Sequence, residues 1–596
     1  MRRSACLVLV VLTCGWARPA LAQVSLVGDW TSRVHEDSTR NDPRLGDFTG
    51  LPITRQALAH GDAWQEGRLT LLERQCVPNG AAWAFRGPAQ IRIWEEKDPT
   101  TQDVVAIKTF IATFAQTRTI WMDGRPHPGK YAPHTWQGFS TGKWEGNKLT
   151  VTTTHLKRFF HRRNGLPQSD ETTLTEEFIR HGNNYLTHIT IADDPLYLSE
   201  PLVQSQNFVL VSNVQPSTYQ TWTVCRAQVE IAGRPEGYVP HYLPGTNPFI
   251  DEYSKKFGLP FDATRAGAES MYPEYRPTLK KLQAAAAGSA PAPAVTPVAQ
   301  NRGQQRTPPA PAAAGGDVQI VQVASDVYML ATATGNVTVN VGPQGLLVVD
   351  AGSEAMSAKI VAAIRTISDK PIRFIVQTSA NPDHVGGTPA LNTLAQAIRS
   401  RETIDTGAVI LAHENTFNRM SAATGTQAPT PVAAWANSTF FVPQQDEHFN
   451  GQAVQLFHRA ATTDGDVVVV LRRSDVIAAG DIFDKTRYPA IDLDKGGSIQ
   501  GEIDAINWLL EVMVPDEKEE GGTMVVGGRG RLCDEGDVSE YRDMLTIVRD
   551  RVQDLIGKGM TLEQVKAARP TFEYDPEYGP GDAFVESVYR SLKARR

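Results

Sequence analysis

The spacing of hydrophobic residues changes along the chain, and the change separates two halves. Over residues 23–283, short runs such as KLTVTTTHL and TFIATFAQTRTIWMDG place an apolar residue at every second position, with turn signals at DGRP and EGNK. A period of two is typical of strands that bury one face. The first half is therefore predicted to be mainly β, as either a closed barrel or a β-sandwich.

The second half combines strand and helix patterns. GLLVVDAG and PIRFIVQTS are continuous apolar runs, whereas EAMSAKIVAAIRTIS and GSIQGEIDAINWLLEVM have the apolar spacing of helices. Strands grouped at both ends of this half, with helices between them, predict two sheets sandwiched by helices.

A stretch of Ala, Pro, Gly and Gln separates the halves, at residues 284–316. It has too little apolar bulk to bury a core, so it is predicted to be a disordered tether. The tether defines two domains, 23–283 and 317–596, each large enough for its own core.

The first 22 residues have the pattern of a signal peptide. A basic start precedes an apolar run, and the small residues Ala20 and Ala22 stand ahead of Gln23. The mature protein is therefore expected to be periplasmic or secreted, with lipidation at Cys14 as an alternative. No later stretch reaches the roughly 18–20 apolar residues of a membrane span, so no transmembrane segment is predicted.

Composition and charge narrow the functional classes. The 596 residues are 41% hydrophobic and 21% charged, as in folded globular proteins, and the net charge of −7 gives no electrostatic reason to expect nucleic acid as a partner. The mature chain keeps Cys76, Cys225 and Cys533, which lack the spacing of a metal site. A Cys76–Cys225 disulfide and three free thiols both remain open.

The first half also raises a metal and a ligand hypothesis. It holds nine of the 13 histidines, but their spacing matches no ligand motif. Trp136, Trp144 and Phe159 are candidates for lining a cavity, although strand aromatics more often form core. The block from GFSTGKWEG to LYLSEPL resembles an uncharacterised β-rich module of secreted bacterial proteins, and the opening LVGDW favours a lipocalin-like barrel; neither implies an activity.

Five segments of the second half resemble those of the metallo-β-lactamase fold. GLLVVDAG carries Asp350, which supports the metal loop in the family, and TSANPDHVGG stands in place of the family's THxHxDHxGG. ATTDGD, AAGDIF and GGRGRLCDEGDV match its AHTDGD, TGD and PGHG segments. Residues 317 to about 560 therefore resemble this family, which implies an αββα sandwich.

In active members of the family, two zinc ions hold a hydroxide that attacks an ester, thioester or amide carbonyl. The three histidines of the first zinc site fall here on Ser379, Asn381 and Thr462. Hydroxyl and amide oxygens are weak zinc donors beside imidazole. The resemblance therefore implies that the first zinc site does not form.

The second zinc site keeps three of its four ligands. These fall on Asp383, His384 and Asp481, but the last histidine is replaced by Arg529. Arginine has no lone pair to donate and stays positively charged. Its guanidinium is instead suited to bridge Asp383 and Asp481 in place of a cation.

Three functions compete on these residues. The first is a non-hydrolytic pseudoenzyme that binds a small molecule or a protein and needs no cofactor. The second is a hydrolase with one Zn, Fe or Mn ion on Asp383, His384 and Asp481. The third makes Ser379 a nucleophile with His384 as base, but no oxyanion hole is evident. The first is favoured because it requires no further assumption.

Two further segments are expected near this pocket. Arg487 and Tyr488 follow Asp481 in a loop that lies near the metal in relatives, where each is a candidate either for a substrate contact or for a structural hydrogen bond. His413 and Glu414 stand at a predicted helix start, where capping is the simpler role.

Overall fold

The computed structural model describes residues 24–33, 46–74, 77–85, 90–111, 116–162, 164–212, 237–288, 318–395, 407–422, 428–515 and 521–594. The predicted signal peptide, Cys14, the Cys76–Cys225 pair and most of the predicted tether lie outside these residues. Cys533 is a buried free thiol. None of the helices in these ranges has both the length and the apolar character of a membrane span.

The N-terminal region is a closed nine-stranded β-barrel, so the barrel and not the sandwich is correct. The ring runs β1-β11-β10-β9-β6-β5-β4-β3-β2, and β1 closes it by pairing antiparallel with both β2 and β11. β7 and β8 form a separate hairpin. The strands are β1 Gly28–Arg33, β2 Gln90–Lys97, β3 Val104–Ile111, β4 Gln116–Trp121, β5 Phe139–Glu145, β6 Lys148–Thr154, β7 Phe159–Arg162, β8 Leu166–Gln168, β9 Thr173–His181, β10 Tyr185–Asp193 and β11 Leu202–Val211.

The alternation seen in the sequence is the burial pattern of the barrel. In β6 and β10, every second side chain is buried inside the ring. The aromatic residues proposed to line a cavity are instead packed: Trp136 is buried edge-on against Phe159, and Trp144 packs on the barrel core. Their role is structural, as strand aromatics usually have.

A buried ion cluster lies across the barrel interior. Arg118 donates to Oε1 of Glu176 at 3.0 Å and to Oγ1 of Thr153 at 2.6 Å, and Nε2 of His188 lies 2.9 Å from the same Glu176 oxygen. Burial opposes ionisation of Glu176, but Arg118 and His188 outweigh it and lower its pKa to about 2. The Nε2 of His188 is therefore paired with the Glu176 carboxylate.

Short helices flank the barrel and lead out of it. Helix α5 includes residues 284–288, which the sequence assigned to the tether. The helices of this half are α1 Arg55–Ala63, α2 Ala81–Ala84, α3 Glu252–Phe257, α4 Phe261–Thr264 and α5 Arg276–Gly288.

The C-terminal half contains two face-to-face sheets. Seven strands pair in the order β12 to β18 and five in the order β19 to β23. Apolar side chains from both sheets, such as Val349 and Val469, form one core between them. The strands are β12 Gln319–Ala324, β13 Val327–Ala331, β14 Asn336–Gly342, β15 Gly345–Val349, β16 Ile372–Gln377, β17 Val409–His413, β18 Ser438–Phe440, β19 Gln444–Phe449, β20 Gln452–His458, β21 Val467–Leu471, β22 Val476–Asp484 and β23 Met524–Arg529.

Helices cover the outer faces of both sheets, which confirms the predicted αββα sandwich. Ile360 and Ile364 pack on the first sheet, and Ile503, Leu545 and Val588 pack on the second. The helices are α6 Ser357–Ile367, α7 Pro382–Val385, α8 Thr388–Asn392, α9 Glu414–Ser421, α10 Ile499–Val512, α11 Glu535–Gly557, α12 Leu562–Ala567, α13 Asp575–Tyr578 and α14 Asp582–Ala594.

Strand direction determines where the site lies. β15, β16 and β17 are parallel to one another, and so are β22 and β23. Residues that follow the carboxyl ends of these strands therefore gather at one edge of the sandwich, where ligands of open α/β sheets usually bind.

Candidate functional site

The loop after β16 is fixed to the end of β15 through Asp350. Asp350 has a φ of 62°, an uncommon conformation for a residue with a side chain. Its carboxylate accepts hydrogen bonds from the backbone N of Thr378 at 2.9 Å and from Nδ1 of His384 at 2.8 Å. A side chain at Gly387 would collide with the carbonyl oxygen of Ala351, which explains a glycine there. Asp350 thus holds the loop that carries His384 against the end of β15.

His384 lies between two carboxylates. It is on the short helix α7 and is 1% exposed, so its ring is enclosed. Its Nδ1 faces Asp350, and its Nε2 lies 3.0 Å from Oδ1 of Asp481, although it is not aligned for a hydrogen bond. Burial opposes protonation, but Asp481 and Asp350 raise the pKa of His384 well above its ordinary value. The two carboxylates therefore favour the protonated form of His384.

Asp481, on β22, is the acidic centre of the pocket. It accepts a hydrogen bond from Nδ2 of Asn381 at 2.6 Å, and Nη2 of Arg487 lies 3.5 Å away. Burial alone would raise the pKa of Asp481, but His384 and the hydrogen bond from Asn381 hold it below its ordinary value. Asn381, at a first-site histidine position, thus acts as a hydrogen-bond donor to a carboxylate.

Arg529 reaches the same carboxylates from the end of β23. Its guanidinium forms an ion pair with Asp383, and its Nη1 lies 3.4 Å from Asp484 and 3.9 Å from Asp481. Burial lowers the pKa of Arg529 to about 10, which leaves the group charged at neutral pH. The structure thus places Arg529 beside both Asp383 and Asp481, the two carboxylates that the sequence suggested it would bridge.

Asp484 is a pocket residue that the sequence analysis did not identify. Asp484 is buried at the end of β22 and accepts from Nε of Arg487 at 2.6 Å and from the backbone N of Thr486 at 2.9 Å. The sequence had singled out Arg487 but not Asp484. The one signal was its place three residues after Asp481 in GDIFD, where an irregularity in the β22–β23 pairing alters the simple alternation of faces.

Ser379 and Thr462 are occupied by other polar contacts. Oγ of Ser379 accepts from the backbone N of Asn381 at 3.3 Å, and Oγ1 of Thr462 donates to Asp466 at 2.7 Å. Because the two ring nitrogens of His384 face Asp350 and Asp481, neither is directed at Ser379. The geometry gives no support to a serine nucleophile.

Two of the flanking candidates are structural. Tyr488 is buried among the C-terminal helices, where its hydroxyl donates to Asp575 at 3.1 Å and its ring stacks on Phe584, so its expected role in the pocket is wrong. His413 accepts from the backbone N of Asn415 at 3.3 Å and so caps α9, as the sequence predicted.

Arg529 lies among the groups that a metal ion would use. An ion on Asp383, His384 and Asp481 would compete with the Arg529 guanidinium, which pairs with Asp383 and lies 3.9 Å from Asp481. Within the described residues, no group of three or more His, Cys, Asp or Glu side chains is arranged to hold a metal.

Comparisons with known proteins agree with the fold. The family model described as the metallo-beta-lactamase superfamily matches residues 332–543. The linear primary-alkylsulfatase of Pseudomonas sp. (strain ATCC 19151) is 25% identical over 298 residues, which cover 42% of this chain and 54% of that protein. The chain thus spans about half the length of this curated relative.

Similar solved structures include two from different classes. The sec-alkylsulfatase Pisa1 from Pseudomonas sp. gives a TM-score of 0.35 at 14% identity, covering 46% of this chain and 50% of that one. A metallo-beta-lactamase from Pontibacter korlensis gives a TM-score of 0.29 at 16% identity, covering 39% and 99%. The C-terminal region thus matches the family model of the metallo-beta-lactamase superfamily over residues 332–543, and it has the two-sheet architecture predicted from the resemblance to that family.

Proposed function

We propose that this protein is a non-hydrolytic member of the superfamily, in which the guanidinium of Arg529 replaces the catalytic cation. The single observation that supports this most is the ion pair between Arg529 and Asp383, with Asp484 and Asp481 within 3.4 and 3.9 Å of the same guanidinium. A charged arginine neutralises the acids but provides no bound hydroxide, because only a metal lowers the pKa of water enough.

The polar groups at the first-site positions support the same proposal. Asn381 and Thr462 each donate to an aspartate, so both side chains are held by carboxylates, and their neutral oxygens are weak zinc donors beside imidazole. The pocket is therefore proposed to bind a small molecule or a protein segment without turnover. Arg487, whose side chain is 43% exposed, is the group at its rim most suited to an anionic ligand.

A single-metal hydrolase is the second candidate. It is favoured by Nε2 of His384, which has no aligned hydrogen-bond partner and lies beside Asp481. The sequence relation to an alkylsulfatase makes sulfate esters the first substrates to test, followed by esters, thioesters and lactams. In this alternative, a Zn, Fe or Mn ion displaces Arg529.

The test is turnover by the full-length protein. Dodecyl sulfate, p-nitrophenyl acetate, a thioester and a lactam are incubated with it, first after chelation and then with added Zn, Mn or Fe. No hydrolysis above the metal-only background is expected under any condition. Metal-dependent hydrolysis that disappears in Asp481→Ala but not in Arg473→Gln, a control at an exposed ion pair, would replace the proposal with the second candidate.

A further inference from the structure

A network of ion pairs between side chains of alternating charge joins the barrel to the C-terminal domain. None of these side chains is more than 20% exposed, and the charged atoms of successive members of the network lie within 4 Å of each other. In order, it consists of Glu73, Arg542, Asp543, Arg74, Glu540, Arg158, Glu577, Lys485, Asp170, Arg531 and Asp537. Buried ion pairs add little net stability, but they penalise every other arrangement of the two surfaces.

Asp170 is the barrel residue of this network that contacts both Lys485 and Arg531. It follows β8, and its Oδ2 lies 2.8 Å from Nη2 of Arg531 and 3.1 Å from Nζ of Lys485. Lys485 has its next carboxylate, Glu577, at 3.9 Å. One aspartate therefore holds two buried cations that belong to different segments of the other domain.

Those two segments carry the pocket. The Asp484 segment, residues 484–488, contains Lys485, and the Arg529 segment, residues 529–533, contains Arg531. The backbone N of Lys485 donates to the carbonyl oxygen of Arg529 at 3.4 Å, so the segments also contact each other directly. A second barrel contact joins Leu532 N to the carbonyl oxygen of Tyr131 at 3.1 Å.

We propose that Asp170 is a positioning residue for the pocket: by holding Lys485 and Arg531 together, it keeps Asp484 and Arg529 in contact. The barrel thereby completes the site of the C-terminal domain. The inference rests on the proposed function in that the Arg529–Asp383 pocket is taken as the functional site. Loss of Asp170 leaves Lys485 with Glu577, 3.9 Å away, as its remaining carboxylate partner, and a poorly paired buried charge moves toward water if it can.

Hydrogen exchange of the full-length protein, followed by mass spectrometry, tests this. In Asp170→Asn, amide exchange in the Asp484 and Arg529 segments is expected to accelerate by about tenfold or more, with sheet β12–β18 unchanged. Phenylglyoxal modification of Arg529, mapped by mass, is expected to accelerate in parallel. Asp170→Glu, which keeps the charge, is expected to restore most of the protection.

Glu540→Gln is the matched control, because it breaks another buried contact between the domains, to Arg74 at 2.5 Å, away from the pocket segments. It is expected to leave Arg529 reactivity unchanged. Equal acceleration in the control, or none in Asp170→Asn, would overturn the inference. If Asp170→Asn does not fold, Lys485→Gln is used, and unchanged exchange at Arg529 in that variant would also overturn it. Metal content bears separately on the proposed function, so the two can fail independently.

Discussion

Replacement of Arg529 by methionine isolates its role as a substitute cation. Methionine keeps much of the length of the side chain but removes the charge that faces Asp383. At an effective dielectric constant of about 20, unit charges at the 3.4 and 3.9 Å that separate Arg529 from Asp484 and Asp481 attract by about 5 and about 4 kcal/mol. Desolvation offsets much of this attraction, and we expect a net loss of about 2–4 kcal/mol.

The loss is measured as a shift in the melting temperature of the C-terminal domain. For a domain of this size, it corresponds to a decrease of roughly 4–8 °C at neutral pH. Arg473→Met is the control, because the Arg473 side chain is 55% exposed and pairs with Asp326 at the surface, where an ion pair contributes little.

Divalent metal then distinguishes charge from packing. Without Arg529, the acids and His384 become available to an ion, and Mn²⁺ or Zn²⁺ at about 100 times its Kd would stabilise the variant by about 2.7 kcal/mol. The wild-type protein is expected to show no such rise in melting temperature. An equal rise in both proteins, or a variant as stable as wild type without metal, would refute the idea that Arg529 occupies the place of the cation.

Three other predictions follow from particular groups. Replacing Ser379, Asn381, Thr462 and Arg529 together by histidine is expected to restore zinc binding, measured by elemental analysis. A zinc-free variant would count against the assignment of these positions to the family's zinc ligands. Both carboxylate oxygens of Glu502 are buried and have no hydrogen-bond partner among the residues that the structure describes, and burial raises the pKa of Glu502 well above its ordinary value. Its effect on folding therefore becomes less favourable as pH rises above the unfolded pKa. Glu502→Gln is expected to stabilise the domain by about 1–3 kcal/mol at neutral pH and to show no gain at pH 4 in thermal melts. Glu176 has the opposite sign: its pKa is lowered to about 2, so its contribution is complete above its unfolded pKa and is lost as pH falls toward 2. Glu176→Gln should cost the barrel about 3–5 kcal/mol at pH 7 and much less at pH 2, and a loss independent of pH would contradict this.

The sequence predicted the sandwich because its elements are local. The continuous apolar runs of β15 and β16 and the helical spacing of α6 and α10 are properties of neighbouring residues, and the grouping of these elements along the chain predicts two sheets between helices. The contact between Asp350 and the loop around His384 has a different origin: the two residues are 34 positions apart, and the family resemblance, not a local pattern, implied it.

Contacts between distant segments were beyond the sequence. The orientation of Tyr488 depends on Asp575, and the role of Asp484 depends on a strand irregularity that changes which face its side chain reaches. Asp170 and Arg531 are 361 residues apart in the sequence, so only the packing of the two domains reveals their contact. Alternation predicted which residues of the barrel are buried, but not that Arg118 and Glu176 are among them as an ion pair.

Metal content of the full-length protein tests the central claim most directly. The protein is purified without chelator from medium supplemented with Zn, Mn and Fe, dialysed, and analysed by inductively coupled plasma mass spectrometry. Arg529 paired with Asp383 predicts well under one equivalent of any transition metal. Close to one equivalent, retained through dialysis and lost in both Asp383→Ala and Asp481→Ala, would contradict the substitution of an arginine for the catalytic cation.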